Sequence, residues 1–227
     1  MNWTIDEKTQ KAVVKYPLAK LGGQRCQQFQ GKNFNPNNWS HRLIGPAQWP
    51  SKSLKSSPDE IIKQFRDKQF LQALALVVSW GGMNRVSRYI YDTRHLGVIE
   101  EALRKCTASI KATKSIENAW RILTGTNRDE LVWSSVISSK TLHFLCRAMG
   151  FEEDPPVAID NAVILNCVWP KFRDAIPKDE LPGGWRGNSF DAYSRYMSAI
   201  LTWARMTGWR TWEVEATIFA RYGRNRQ

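Results

Sequence analysis

The chain has 227 residues, 42% of them hydrophobic and 24% charged, which argues against a disordered chain and allows a sizeable core. Lys and Arg outnumber Asp and Glu by 33 to 21, a formal net charge of +12 with a pI near 9.7, which points to a polyanion as partner, nucleic acid first and an anionic membrane surface second. The four cysteines, Cys26, Cys106, Cys146 and Cys167, are far apart, with no CxxC and no clustered His/Cys set, which argues against a disulfide framework, a zinc site and an iron–sulfur cluster.

Residues 1–57 read as an irregular segment packed on the body. Runs such as "GKNFNPNNWS" are rich in Asn, Pro, Gly and Ser, which punctuate turns. Trp3, Phe29, Phe34, Trp39 and Trp49 are spaced through this segment as in a chain that wraps on a core. The N-terminus carries no basic-then-apolar signal pattern, and no run of about 18 apolar residues exists to span a membrane. An intracellular protein with mostly buried, reduced thiols is expected, in company with DNA and, in a prokaryote, cytoplasmic.

Helical patterns begin at residue 58. "SPDEIIKQFRDKQFLQALALVVSW" has an N-cap candidate at Ser57, Pro58 at the first helical position and a stop at Gly81–Gly82. Further helices are expected in "HLGVIEEALRKCTASI", in "KSIENAWRILTG" between Ser115 and Gly125, and in "NRDELVWSSV" with Asn127 as a cap. Others follow Lys140 and Asp160, and the last two are "SFDAYSRYMSAILTWARMTG" and "TWEVEATIFARYG". Strand patterns are scarce, with "PPVAID" the best extended piece, so the fold class is mainly α. "AIPKDELPGGWRGN" is the clearest loop of the second half.

Between Ser135 and Lys140, "SVISSK", one helix is expected to end and another to begin. A turn there would leave the first N–H groups of the second helix open to a phosphate, with Ser138 and Ser139 as hydroxyl donors. A plain helix connection with serine caps is the alternative. Lys140 would stand at a helix N-terminus, where the dipole lowers a lysine's pKa toward that of an amine nucleophile, or it is a solvated surface lysine. Asp160 follows 20 residues later, ahead of "NAVILNCVW". It either caps that helix or directs a fixed carboxylate at a developing cation.

"SSVISSKTLHFLCRAMGFEEDPPVAIDNAVI" resembles the helix–hairpin–helix segment of the DNA glycosylase superfamily, most closely the bifunctional 8-oxoguanine glycosylases and their prokaryotic OGG-like relatives. Lys140 falls on the position of the family's lysine nucleophile, and Asp160, within "PPVAID", on that of its active-site aspartate. The close match covers about thirty residues around the segment. Val136, Ile137, Ser138 and Ser139 stand where the family's hairpin carries glycines.

The resemblance implies a helix–hairpin–helix glycosylase-like fold, two helical lobes with the active site between them, with residues 58–227 as the helical body and 128–165 as the hairpin and catalytic segment. It implies a monomer on double-stranded DNA that flips out a damaged or modified base and excises it through a Lys140 Schiff base, with lyase activity and neither metal nor organic cofactor. Modified bases in phage DNA, and so a role in antiviral defence, are one substrate class. Ser138, Ser139 and His143 would contact the DNA backbone, or His143 is a packing histidine. Trp80, Gly82, Trp185 and Trp209 are candidates for the base pocket, each weighed against a core or helix-stop role. A non-catalytic helical DNA-binding protein that keeps the hairpin is the competing reading.

Overall fold

A computed structural model describes residues 3–18, 24–26, 56–82, 96–125, 133–160, 163–174 and 189–222. Among the described residues there are nine α-helices and one π-helical turn, and no strand. In chain order they are α1 (Glu7–Val14), α2 (Pro58–Arg66), α3 (Phe70–Trp80), α4 (Leu96–Thr113), α5 (Glu117–Thr124), α6 (Ser135–Ala148), the π turn (Ile164–Val168), α7 (Trp169–Phe172), α8 (Phe190–Thr207) and α9 (Thr211–Tyr222).

The chain divides into two compact units. One comprises Met1–Phe29, Ser134–Ser139 and Phe151–Gln227, the other Gln30–Trp133 and Lys140–Gly150.

In the second unit, Ser57 caps α2 by accepting from the Glu60 N–H at 3.3 Å, and Pro58 opens the helix. The sequence pattern predicts one helix over α2 and α3, but the structure breaks it at Asp67–Gln69, with Lys68 at φ 58°. No Gly or Pro marks the break. Its cause lies in the apolar register: Ile61, Ile62 and Phe65 are followed only at Phe70, Leu71 and Leu74, a gap of five where a continuous stripe needs three or four. The chain restarts at Phe70 so that both stripes stay buried. α3 packs on α4, and α4 on α5. Gly125, at φ 59°, takes the left-handed region that stops α5 at its expected place.

The first unit is built around α8, whose Tyr193, Tyr196, Met197 and Trp203 are fully buried. Ser189 caps it at one end, and Gly208 in the left-handed region closes it at the other. α1 packs against α8. This helix lies inside the stretch expected to be irregular. Asp6 caps it by accepting from the Thr9 N–H at 2.7 Å, but only Thr9 and Val13 are buried, so its stripe was too thin to read. Trp3 packs as expected: its Nε1–H donates to the Asp154 carbonyl at 3.0 Å and its ring meets Tyr193 edge-on at 6.2 Å. Phe29, Phe34, Trp39, Trp49, the Asn127 cap and the "AIPKDELPGGWRGN" loop lie outside the described residues.

Candidate active site

α6 begins at Ser135, so Lys140 is its sixth residue and not its first. The N–H groups of Ile137 and Ser138 both donate to the Ser134 carbonyl at 3.0 Å, and the helix runs on without a turn. Valine, isoleucine and serine all accept right-handed helical backbone, and none of the glycines that would end a helix there is present. The dipole's effect fades beyond the first turn, so what sets Lys140 apart is burial. It is 6% exposed, and its Nζ lies 5.9 Å from the centroid of the Trp80 ring, at the end of α3. Trp80 in turn meets Phe144 edge-on at 5.0 Å, and the His143 ring meets Phe144 at 4.8 Å.

Asp160 is delivered by a different device. Residues 155–159 are non-helical and buried, a setting in which every backbone polar group needs a partner. Two prolines remove two of the N–H groups outright. Side chains distant in sequence serve others. Thr211 Oγ1 donates to the Pro155 carbonyl at 3.4 Å, and the Tyr193 hydroxyl donates to the Val157 carbonyl at 2.8 Å. The Val157 N–H reaches Met197 Sδ at 3.4 Å, and the Ile159 N–H donates to Ser139 Oγ at 3.0 Å. The strap ends on Asp160, half-buried, whose Oδ1 accepts from the Val163 N–H at 3.3 Å and whose carbonyl accepts from the Ile164 N–H at 3.0 Å. This is the helix-cap geometry that the sequence suggested. The π turn follows at once and leaves Leu165 47% exposed.

The chain matches the family model described as "Putative 8-oxoguanine DNA glycosylase OGG-like protein" over residues 25–219, a span that holds both Lys140 and Asp160. The chain belongs to this OGG-like family. No curated protein and no solved structure matches it. Membership carries DNA glycosylase function and DNA binding in general, and the mainly helical architecture agrees with it. No helix among the described residues is long and apolar enough to cross a membrane.

In this OGG-like chain the residues expected at the DNA backbone are buried. Ser138 and Ser139 are fully buried and His143 is 2% exposed, so all three side chains belong to the interior. Ser139 gives its hydroxyl to the backbone of Val136 and receives the Ile159 N–H. Among the described pocket candidates, Trp80 lies beside Lys140, its ring centroid 5.9 Å from Nζ. Gly82, at φ 66° and exposed, serves the helix stop also weighed for it, its N–H donating to the Ser79 carbonyl at 2.9 Å. Trp209 is half-buried in the bend between α8 and α9, where its N–H donates to the Ala204 carbonyl at 3.2 Å. Trp185 lies outside the described residues.

Burial also shifts other titratable groups of the described interior. Burial pushes the Cys106 and Cys167 thiols up to about 12 and Cys146 higher still. Burial, then the Glu215 carboxylate, raises the Tyr196 hydroxyl well above its usual value, and that hydroxyl has no hydrogen-bond partner. Sequence reasoning missed the strap's clamps, Tyr193, Met197 and Thr211. Their signal was the buried Pro-Pro-Val run itself, which cannot satisfy its own carbonyls.

Proposed function

We propose that this chain is a bifunctional glycosylase that excises a damaged or modified base from double-stranded DNA and then nicks the strand through Lys140. The observation that carries the reading is the burial of Lys140. This lysine is 6% exposed, with its Nζ over the face of the Trp80 indole. Its spacing from Asp160, which resembles that of the family's lysine and aspartate, supports the same role.

In the proposed reaction the neutral Lys140 amine attacks C1′ of the flipped nucleotide. The C1′–N bond breaks, and the base leaves with the bonding pair and takes up a proton. Nζ gives up a proton, the C1′–O4′ bond breaks with O4′ keeping the pair and taking up a proton from water, and an iminium joins Nζ to C1′. Loss of a C2′ proton then expels the 3′ phosphate, and water releases the lysine. The Asp160 carboxylate, fixed by its cap bond to Val163, stabilises positive charge on the sugar. Trp80 offers its ring face to the cationic nitrogen. His143 is assigned a packing role and Ser138 no DNA contact. The protein acts as a monomer, inside the cell where its DNA substrate is.

The substrate is 8-oxoguanine, as the family description names, or another modified base, including those of phage DNA, where the role would be antiviral defence. Incubation with a panel of modified duplexes, including glucosylated phage DNA, and identification of the released base decides between them. Release of a free base is the expected result. Salt-dependent duplex binding with no release from any member would instead make the chain a non-catalytic DNA-binding protein.

A further inference from the structure

The serines standing where the family's hairpin carries glycines are not equivalent. Ser138 Oγ has no partner, whereas Ser139 Oγ donates to the Val136 carbonyl at 3.1 Å and accepts from the Ile159 N–H at 3.0 Å. Both Ser139 and Ile159 are fully buried. The bond joins two points 20 residues apart, and each is followed directly by one of the two groups assigned to the chemistry: Lys140 after Ser139, Asp160 after Ile159. A glycine at position 139 would supply no acceptor, and the Ile159 N–H would lose its partner in a dry setting.

We propose that Ser139 is a positioning residue for base excision: its buried hydroxyl fixes the chain at Asp160 against the helical turn that leads into Lys140. Ser139 touches no reacting atom. Its single hydroxyl is occupied on both sides by backbone, and its effect passes through Ile159 to Asp160. This rests on the assignment of Lys140 and Asp160 as the reacting pair. Small displacements of a positioned group matter, because a misplacement of about 1 Å slows a reaction by about 100-fold.

The test uses the full-length protein and a duplex with one abasic site, which needs the lysine but no base recognition. The amine condenses with the sugar aldehyde, water leaves, and borohydride reduces the iminium to a stable adduct. Single-turnover trapping rates, duplex affinity and thermal unfolding are measured for Ser139→Ala, Ser139→Cys and Ser139→Thr, with Lys140→Gln alongside. Ser139→Ala is expected to trap about 10- to 100-fold more slowly, with duplex affinity within about threefold of the starting protein. Ser139→Thr keeps the hydroxyl and is expected to recover the rate to within about threefold, with Ser139→Cys, a weak acceptor, in between. If the alanine variant does not fold, the cysteine and threonine variants carry the same comparison. Trapping by Ser139→Ala at the unsubstituted rate, or Ser139→Thr as slow as Ser139→Ala, overturns the positioning role while leaving the lysine assignment intact. An undiminished adduct from Lys140→Gln, or none from the unsubstituted protein, overturns the lysine assignment and the positioning role with it.

Discussion

Lys140 lies within a 14-residue helix and is 6% exposed, whereas Asp160 closes a non-helical strap and stays half-exposed. The helix satisfies its own backbone and needs its neighbours only for packing. The strap cannot do this, so it depends on hydroxyl and sulfur groups supplied from residues 139, 193, 197 and 211. The backbone at Lys140 is therefore held by its own helix, and the backbone leading to Asp160 by long-range hydrogen bonds. Mutations far from the chemistry should act through Asp160 more than through Lys140.

The largest expected effect is at the amine itself. Lys140→Gln should slow base release by about 1,000-fold or more, about 4 kcal/mol of transition-state stabilisation. Duplex affinity, read by salt titration, should stay close to that of the unsubstituted protein. Asp160 allows a cleaner separation, because Asn caps a helix about as well as Asp. Asp160→Asn should lower base release about 100-fold with little change in thermal unfolding, while Asp160→Ala should add a stability loss of about 1 kcal/mol from the missing cap. Equal stability of the two variants would remove the cap from the account.

The strap's dependence on distant groups gives a smaller effect. Tyr193→Phe deletes only the hydroxyl that donates to the Val157 carbonyl, and it should cost about 1–2 kcal/mol, seen as a drop of roughly 2–8 °C in the unfolding midpoint. An unchanged midpoint would mean that the strap is held by packing alone.

The thiols report on both regions at once, with the smallest effect at neutral pH. Cys146 lies in α6 and Cys167 in the π turn just after Asp160, both fully buried. Thiol reagents at pH 8 should label neither in the native protein, and in rising denaturant Cys167 should react before Cys146 if the strap region opens first. Burial raises the Cys106 and Cys167 thiols from 9.0 to about 12. Folding thus favours their protonated form. Their contribution is fully present below pH 9 and lost as pH rises from 9 through 12, so unfolding followed by circular dichroism should show stability declining over that window.

Much of the helical frame was legible where chemistry marks the ends. Ser57–Pro58 opened α2, Gly125 closed α5, and the run "SFDAYSRYMSAILTWARMTG" became α8. Where no marker exists, the reading failed. At Lys68 no Gly or Pro marks the break, only a slip in the apolar register, and the serines before Lys140 suggest a turn that the backbone does not make. The bond that ties this helix to the strap joins positions 139 and 159, which no local window contains. Asp160 as a helix cap followed from its place before an apolar run, but its pairing with Lys140 came from family spacing and not from either residue alone.

The central claim, that Lys140 is the nucleophile, is tested most directly by borohydride trapping on an abasic-site duplex, followed by proteolysis and mass mapping of the adduct. The account predicts one modified peptide, with the reduced sugar on Lys140. An adduct on any other residue, or the same yield from Lys140→Gln, would contradict it.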